Sequence, residues 1–157
     1  FIILKALKEI KKKYKFLFNL YGVGPEKKSI KKFIKKNDLN KMILLKGFVK
    51  DKKLIFKNAD LFINASLWEG LPNALVQSIN YNVFPICSNA PGGNMEVIKN
   101  GILGMSFKTN DKKDLQKKII KFLDKRSKLQ NKIRIKHLKN YTELKSNQDY
   151  LKTLKKL

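Results

Sequence analysis

A chain of 157 residues, 43% of them hydrophobic, is long enough to bury one core and too short for two α/β domains. Its longest apolar runs, "FIIL" and "MILL", fall far short of the roughly 20 residues a bilayer span needs, and no signal-type segment opens the chain, so a soluble, cytoplasmic protein is expected. The net charge of +24 would suit phosphates, yet of the 36 basic residues all but Arg126 and Arg134 are lysine, whereas groove readers favour the bidentate arginine fork. Nucleic acid is therefore not expected as a partner. A lysine-rich solvated surface accounts for the charge, with a peripheral contact at an anionic membrane, on the inner face of the cytoplasmic membrane, as the alternative.

In chain order, "FIILKALKEIKKKY" places Ile3, Leu4, Leu7 and Ile10 on one helical stripe, and "KFLFNLYG" follows as a buried strand ending in glycine. "PEKKSIKKFIKKNDL" reads as a helix opened by Pro25, and "KMILLKGFV" as the next strand. "DKKLIFKNA" is a short helix capped by Asp51, and "DLFINAS" a third strand. "LWEGLPNALVQSINY" then starts a helix with Pro72 near its first position, "NVFPICS" gives a strand holding the lone Cys87, and "NMEVIK" a short helix. With no disulfide partner, Cys87 reads as core filling. An Asn100-Gly101 turn precedes a last strand, "LGMSF", and from Asp111 the chain is Lys-rich and helical. This alternation predicts an α/β fold, a Rossmann-like parallel sheet with helices on both faces. The chain opens on Phe1 and on a helix with no strand before it, so a fragment lacking its first strand is expected.

The chemistry concentrates at residues 69–77. Glu69-Gly70-Leu71-Pro72 lies between a strand's C-terminal end and a helix N-terminus, where ligands bind in open α/β sheets and where N–H groups and the helix dipole favour a phosphate. Gly70 permits close approach, and Pro72 gives up an N–H the helix would not use. A carboxylate beside an anion site needs another object, such as a sugar hydroxyl. Gln77 lies eight residues on and can reach the same cleft from the helix. The blander readings are that Glu69 caps the helix, that "GVGP" at 22–25 is only a strand-to-helix turn, that Trp68 packs rather than stacks, that Pro91-Gly92-Gly93 shapes its loop, and that Glu96 pairs with Lys99 at the surface.

"SLWEGLPNALVQS" followed by "NVFPICSNAPGGNMEVIKNG", with "LYGVGPEKKSI" and "ILLKGFV" upstream, resembles the donor-binding half of GT-B glycosyltransferases of the group 1, family 4 type. The resemblance implies retaining transfer of a sugar from a nucleotide-sugar, UDP-linked, to an acceptor hydroxyl in polysaccharide, lipopolysaccharide or glycan assembly, with no cofactor or metal required. It covers residues 1–125 as the donor-binding domain, leaving 126–157 as a Lys-rich helical tail. It makes Glu69 the catalytic-site carboxylate that contacts the donor sugar. Gly70, Leu71 and Pro72 form the binding turn, and the N–H groups around Asn73, Ala74 and Leu75 receive the distal phosphate. Gly22 and Gly24 keep the first strand end open, and Phe48 with Val49 lies near the base.

The family's second glutamate, which holds the ribose hydroxyls, falls on Gln77, with one acceptor oxygen and no charge. Residues 1–157 hold no counterpart of the family's diphosphate-neutralising basic pair or of its N-terminal acceptor domain, through which a glycan or lipid-linked acceptor would bind. The only histidine, His137, lies in the tail and is not expected to be catalytic. The alternatives are a degenerate, non-catalytic relative marked by Gln77, and a basic nucleic-acid or membrane-binding module.

Overall fold

The computed structural model describes residues 1–130, with side chains through residue 125, so Arg134, His137 and most of the expected helical tail lie outside the described residues. Helix α1 (Ile2–Ile10) buries Leu4, Ala6, Leu7 and Ile10, one face at helical spacing, and packs against α6 (Lys112–Gln130). Lys112 of α6 reaches Glu9 at 3.2 Å, and the Tyr14 hydroxyl donates to Asp124 Oδ1 at 2.9 Å, joining the same two segments. Asp111 caps α6 by accepting from the Asp114 N–H at 2.9 Å, which holds its carboxyl below the usual carboxylate range. Helix α6 kinks at Lys125, whose φ of −124° and ψ of 23° leave the helical region.

Among the described residues five short strands make only parallel pairings. β1 (Phe18–Tyr21) pairs with β2 (Ile43–Gly47) in the register Phe18 to Ile43, with an irregularity between Leu20 and Tyr21. β3 (Leu61–Asn64) pairs with β4 (Phe84–Ser88) in the register Leu61 to Phe84, and β4 with β5 (Met105–Phe107) in the register Ile86 to Met105. Every residue of β4 is buried, as an unalternating apolar run requires of a strand covered on both faces. Pro85 is tolerated there because the ladder to β5 begins only at Ile86, so no donor is lost. Cys87 fills the core, and burial pushes its thiol up from 9.0 to about 12.

The helices α2 (Lys27–Lys36), α3 (Lys52–Phe56), α4 (Asn73–Asn80) and α5 (Asn94–Val97) connect successive strands, which makes the fold Rossmann-like. Asp51 caps α3, accepting from the Lys53 N–H at 2.8 Å. The described strands form two hydrogen-bonded pieces, β1 with β2 and β3 with β4 and β5, because no described strand pairs with both β1 and β3. Two local expectations need correction. α2 begins two residues after Pro25, which lies in the preceding turn with Glu26 as N-cap. The Asn100-Gly101 turn is part of a short 3-10 helix, Lys99–Gly101, in which Asn100 takes φ 50°.

Candidate functional site

Parallel strands bring their C-terminal ends to one edge, so the segments after β1, β2 and β3 gather there. At the end of β3 the chain makes an Asx turn, Asn64 Oδ1 accepting from the Ser66 N–H at 3.0 Å. That turn holds two donors against the next carboxylate. Asn64 Nδ2 donates to Glu69 Oε1 at 3.1 Å, and the Ser66 hydroxyl donates to the same oxygen at 2.6 Å. Ser66 Oγ also lies 2.7 Å from Asn64 Oδ1, but a hydroxyl has one proton, and the charged acceptor at the shorter distance takes it. Both bonds converge on Oε1, which leaves Oε2 as the oxygen able to accept from a ligand. Glu69 is half-buried and does not cap α4, whose N-cap is Pro72 with no side-chain bond.

The backbone of Glu69 is held as firmly by the Pro91-Gly92-Gly93 loop. The Glu69 N–H donates to the Pro91 carbonyl at 3.2 Å, and the Gly93 N–H to the Gly70 carbonyl at 3.0 Å. Gly92 has φ +111°, and a Cβ there would lie 1.5 Å from the Glu69 carbonyl oxygen. No residue but glycine fits such an approach. The Ser88 hydroxyl at the end of β4 donates to the Ser66 carbonyl at 2.6 Å, and Asn94 Nδ2 donates to the Ser88 carbonyl at 3.0 Å. The loops after β3 and β4 are thus one hydrogen-bonded body. "PGG" does shape its loop, and its Gly93 N–H is already engaged.

At the α4 N-terminus the three expected phosphate donors differ. The Asn73 N–H donates to the Leu71 carbonyl and the Leu75 N–H to the Pro72 carbonyl, both at 2.9 Å. The Ala74 N–H has no protein acceptor among the described residues. Leu75 is buried in the core with Val76 and Ile79, whereas Ala74 is exposed: it stands three residues before Gln77 on the same helix face. Gln77 is half-buried, and with Ala74 it opens onto a cavity of about 590 Å³ that also reaches Tyr21 at the end of β1.

The edge of β1 and β2 is looser. Gly22 has φ +123° and Gly24 follows in an exposed loop, with nothing within 4 Å of a Cβ at either. Phe48, just beyond β2, is 71% exposed, and Val49 beside it is half-buried. Trp68 is also 71% exposed and does not pack, because no described element covers the loop between β3 and α4. Val23 in the loop after β1, and Leu67 and Leu71 in the loop after β3, are also exposed. The positioning residues Asn64 and Ser66 escape a reading that starts from Glu69. Their signal is the Asn-x-Ser ending of a strand, which is an Asx-turn pattern.

A family model described as glycosyl transferases group 1 matches residues 1–140. The chain belongs to the group 1 glycosyl transferases. Among curated relatives of this group 1 chain, protein CapJ of Staphylococcus aureus is 35% identical over 109 residues, covering 68% of the chain and 27% of CapJ. The UDP-Gal:alpha-D-GlcNAc-diphosphoundecaprenol alpha-1,3-galactosyltransferase of Escherichia coli is 36% identical over 74 residues, covering 47% of the chain and 19% of the enzyme. A glycosyltransferase from Rickettsia africae superposes with a TM-score of 0.85 at 22% identity, over 99% of this chain and 43% of that one. Anabaena Alr3699/HepE, solved in complex with UDP and glucose, gives 0.84 at 19% identity, over 99% and 44%. The chain therefore spans about a quarter or less of these curated relatives' length. Among the described residues no helix is long and apolar enough to cross a membrane.

Proposed function

We propose that residues 1–125 are the donor-binding domain of a retaining glycosyltransferase that moves a hexosyl or N-acetylhexosaminyl group from a UDP-sugar to an acceptor hydroxyl of a growing glycan. The observation that carries this reading is the Glu69 carboxylate, fixed through Oε1 by Asn64 and Ser66, with Oε2 left without a hydrogen bond among the described residues. A carboxylate held in this way accepts from sugar hydroxyls with charge-assisted strength and orients the anomeric carbon without reorganisation during reaction. Gly70 and Leu71 carry the chain from this carboxylate to Pro72. The Ala74 N–H and the positive end of α4 meet the distal phosphate. Gln77 faces the ribose, Gly22 and Gly24 admit the nucleotide past the end of β1, and Phe48 with Val49 borders the base.

The acceptor domain, the basic pair and the transfer reaction itself are assigned to polypeptide outside residues 1–157. No cofactor enters this reading. The excess lysine is a solvated surface, with a peripheral attraction to anionic lipid at the inner face of the cytoplasmic membrane, screened by salt, as the alternative. The 157-residue chain should therefore bind a nucleoside diphosphate weakly and transfer no sugar.

Calorimetric titration of the chain with UDP and with a short oligonucleotide, each at low and high salt, tests the reading. UDP binding that weakens modestly with salt supports it. Oligonucleotide binding that is tighter than UDP and collapses steeply with salt would instead make the chain a basic nucleic-acid module. Sugar transfer by the chain alone, above a Glu69→Ala control, would overturn the assignment of catalysis to a larger assembly.

A further inference from the structure

β3 and β4 pair only as far as Asn64 and Cys87, so the backbone ladder between them ends before Ser66. Side chains take over from there. The Ser88 hydroxyl donates to the Ser66 carbonyl at 2.6 Å, and Asn94 Nδ2 donates to the Ser88 carbonyl at 3.0 Å. Asn94 follows Gly93, whose N–H donates to the Gly70 carbonyl, and Gly70 follows Glu69. The bonds close a circuit that runs from the Glu69 carboxylate to Ser66, on to Ser88 and Asn94, and back through Gly93 and Gly70. The loop after β3 is thereby gripped on both sides of its carboxylate. This grip uses polar groups where the core is otherwise apolar. Among the described residues the buried polar side chains are Ser78, Ser88 and Asn94. Ser78 bonds the Leu75 carbonyl within its own helix, a local arrangement. Ser88 and Asn94 instead send their bonds to other elements, and both lead to Ser66. Asn94 Oδ1 is buried without a hydrogen-bond donor, which costs stability. A polar pair kept in a core at such a cost points to a task other than packing.

We infer that Ser88, held from beneath by Asn94, is a positioning residue for Glu69: it fixes the Ser66 turn and thereby the place of Oε2 against a bound sugar. Ser88 is 1% exposed and meets no ligand itself, so its only route to the sugar runs through the Ser66 hydroxyl and Glu69 Oε1. The geometry suits the task. Ser66 carries both ends of the relay, its carbonyl accepting from Ser88 while its hydroxyl donates to Glu69, so a shift of that one residue moves the carboxylate. Small misplacements of a group that orients a substrate are costly, and a support anchored in a fully buried strand resists them. This inference rests on the reading of Glu69 as the residue that holds the donor sugar.

A double-mutant cycle of Ser88→Ala and Ser66→Ala in the 157-residue chain tests it, read by thermal midpoint and by calorimetry. The ligands are UDP and whichever of UDP-glucose, UDP-galactose and UDP-N-acetylglucosamine the parent binds most tightly. Ser88→Ala should weaken the UDP-sugar by about threefold or more and leave UDP unchanged. In the Ser66→Ala background it should change UDP-sugar affinity by less than about 1.5-fold, because the hydroxyl it positions is gone, yet lower the thermal midpoint as much as in the parent. Asn94→Ala, which removes the donor beneath the Ser88 carbonyl, should give the same pattern and serves where Ser88→Ala does not fold. Equal effects on UDP-sugar affinity in the two backgrounds would overturn the inference, as would equal weakening of UDP and UDP-sugar. Glu69→Gln separates the two readings. If it leaves UDP-sugar binding unchanged, the donor reading falls and this inference with it; if it weakens that binding and Ser88→Ala does not, the inference alone is overturned.

Discussion

The loop bodies after β3 and β4 and the loops after β1 and β2 lie on one edge of the same fold but are built differently. On the Glu69 side the chain closes upon itself: Gly92 approaches the Glu69 carbonyl too closely for any Cβ, a Cβ at Gly93 would lie 2.7 Å from the Gly70 carbonyl oxygen, and Ser88 and Asn94 tie the Ser66 and Ser88 carbonyls together beneath. On the other side Gly22, Gly24 and Gly47 have open space around them, and Phe48 and Val23 stand in solvent. Glycine serves close packing in the first region and backbone conformation in the second, as the φ of +69° at Gly47 illustrates. The half that would grip a sugar is preorganised by the chain itself, while the half that would receive a nucleotide is left adjustable.

The sharpest way to break this contrast is to place alanine at the two kinds of glycine. Gly92→Ala should cost roughly 3 kcal/mol or more, through both a clash with Glu69 and a positive φ, and should be seen as a large fall in thermal midpoint. Gly22→Ala, strained in φ but free of clash, should cost about 1 kcal/mol. Similar costs at the two positions would remove the distinction.

Alkaline titration probes the packed half through Cys87. Its thiol is raised from 9.0 to about 12 by burial, so the unfolded chain ionises first, and stability should be intact below pH 9 and decline as pH rises toward 12. Cys87→Ala should flatten that decline, and thiol labelling of the parent should proceed only as fast as the fold opens. Rapid labelling at neutral pH would show that β4 is less enclosed than its burial indicates.

Ser66→Ala removes the shorter of the two bonds to Glu69 and should weaken binding of a UDP-hexose by about tenfold, for a loss of about 1.5 kcal/mol, with UDP itself unaffected. The smallest effect belongs to α4. Gln77→Glu should tighten UDP by a few-fold, on the order of 1 kcal/mol at most, and leave a deoxyribose analogue unchanged. Equal changes for the two nucleotides would separate Gln77 from the ribose.

The order of helices and strands was legible because each rests on local signals: the stripe of Leu4, Leu7 and Ile10, the Asp51 cap, the apolar run through Cys87. Glu69 was legible as a candidate because a carboxylate before Gly-x-Pro follows the C-terminal end of a parallel strand. Its positioning by Asn64 and Ser66 was not, although the Asx-turn pattern is local, because an Asn-x-Ser strand ending does not by itself say which acceptor its donors will meet. Helical spacing alone did not decide whether Ala74 or Val76 faces the core, since that depends on how α4 is rotated against β3 and β4. Trp68 was read as packing from its residue type, and its exposure follows from the absence of a described element above its loop. The division of the sheet between β1 and β3 depends on pairing between segments far apart in sequence, which no window of residues reports.

In the proposed function Glu69 holds the sugar and not the nucleotide. Calorimetry of the chain and of Glu69→Gln with UDP-hexoses and with UDP separates the two. The substitution should weaken a UDP-hexose by about tenfold or more while UDP binds as before. Equal weakening of both ligands, or no change in either, would contradict it.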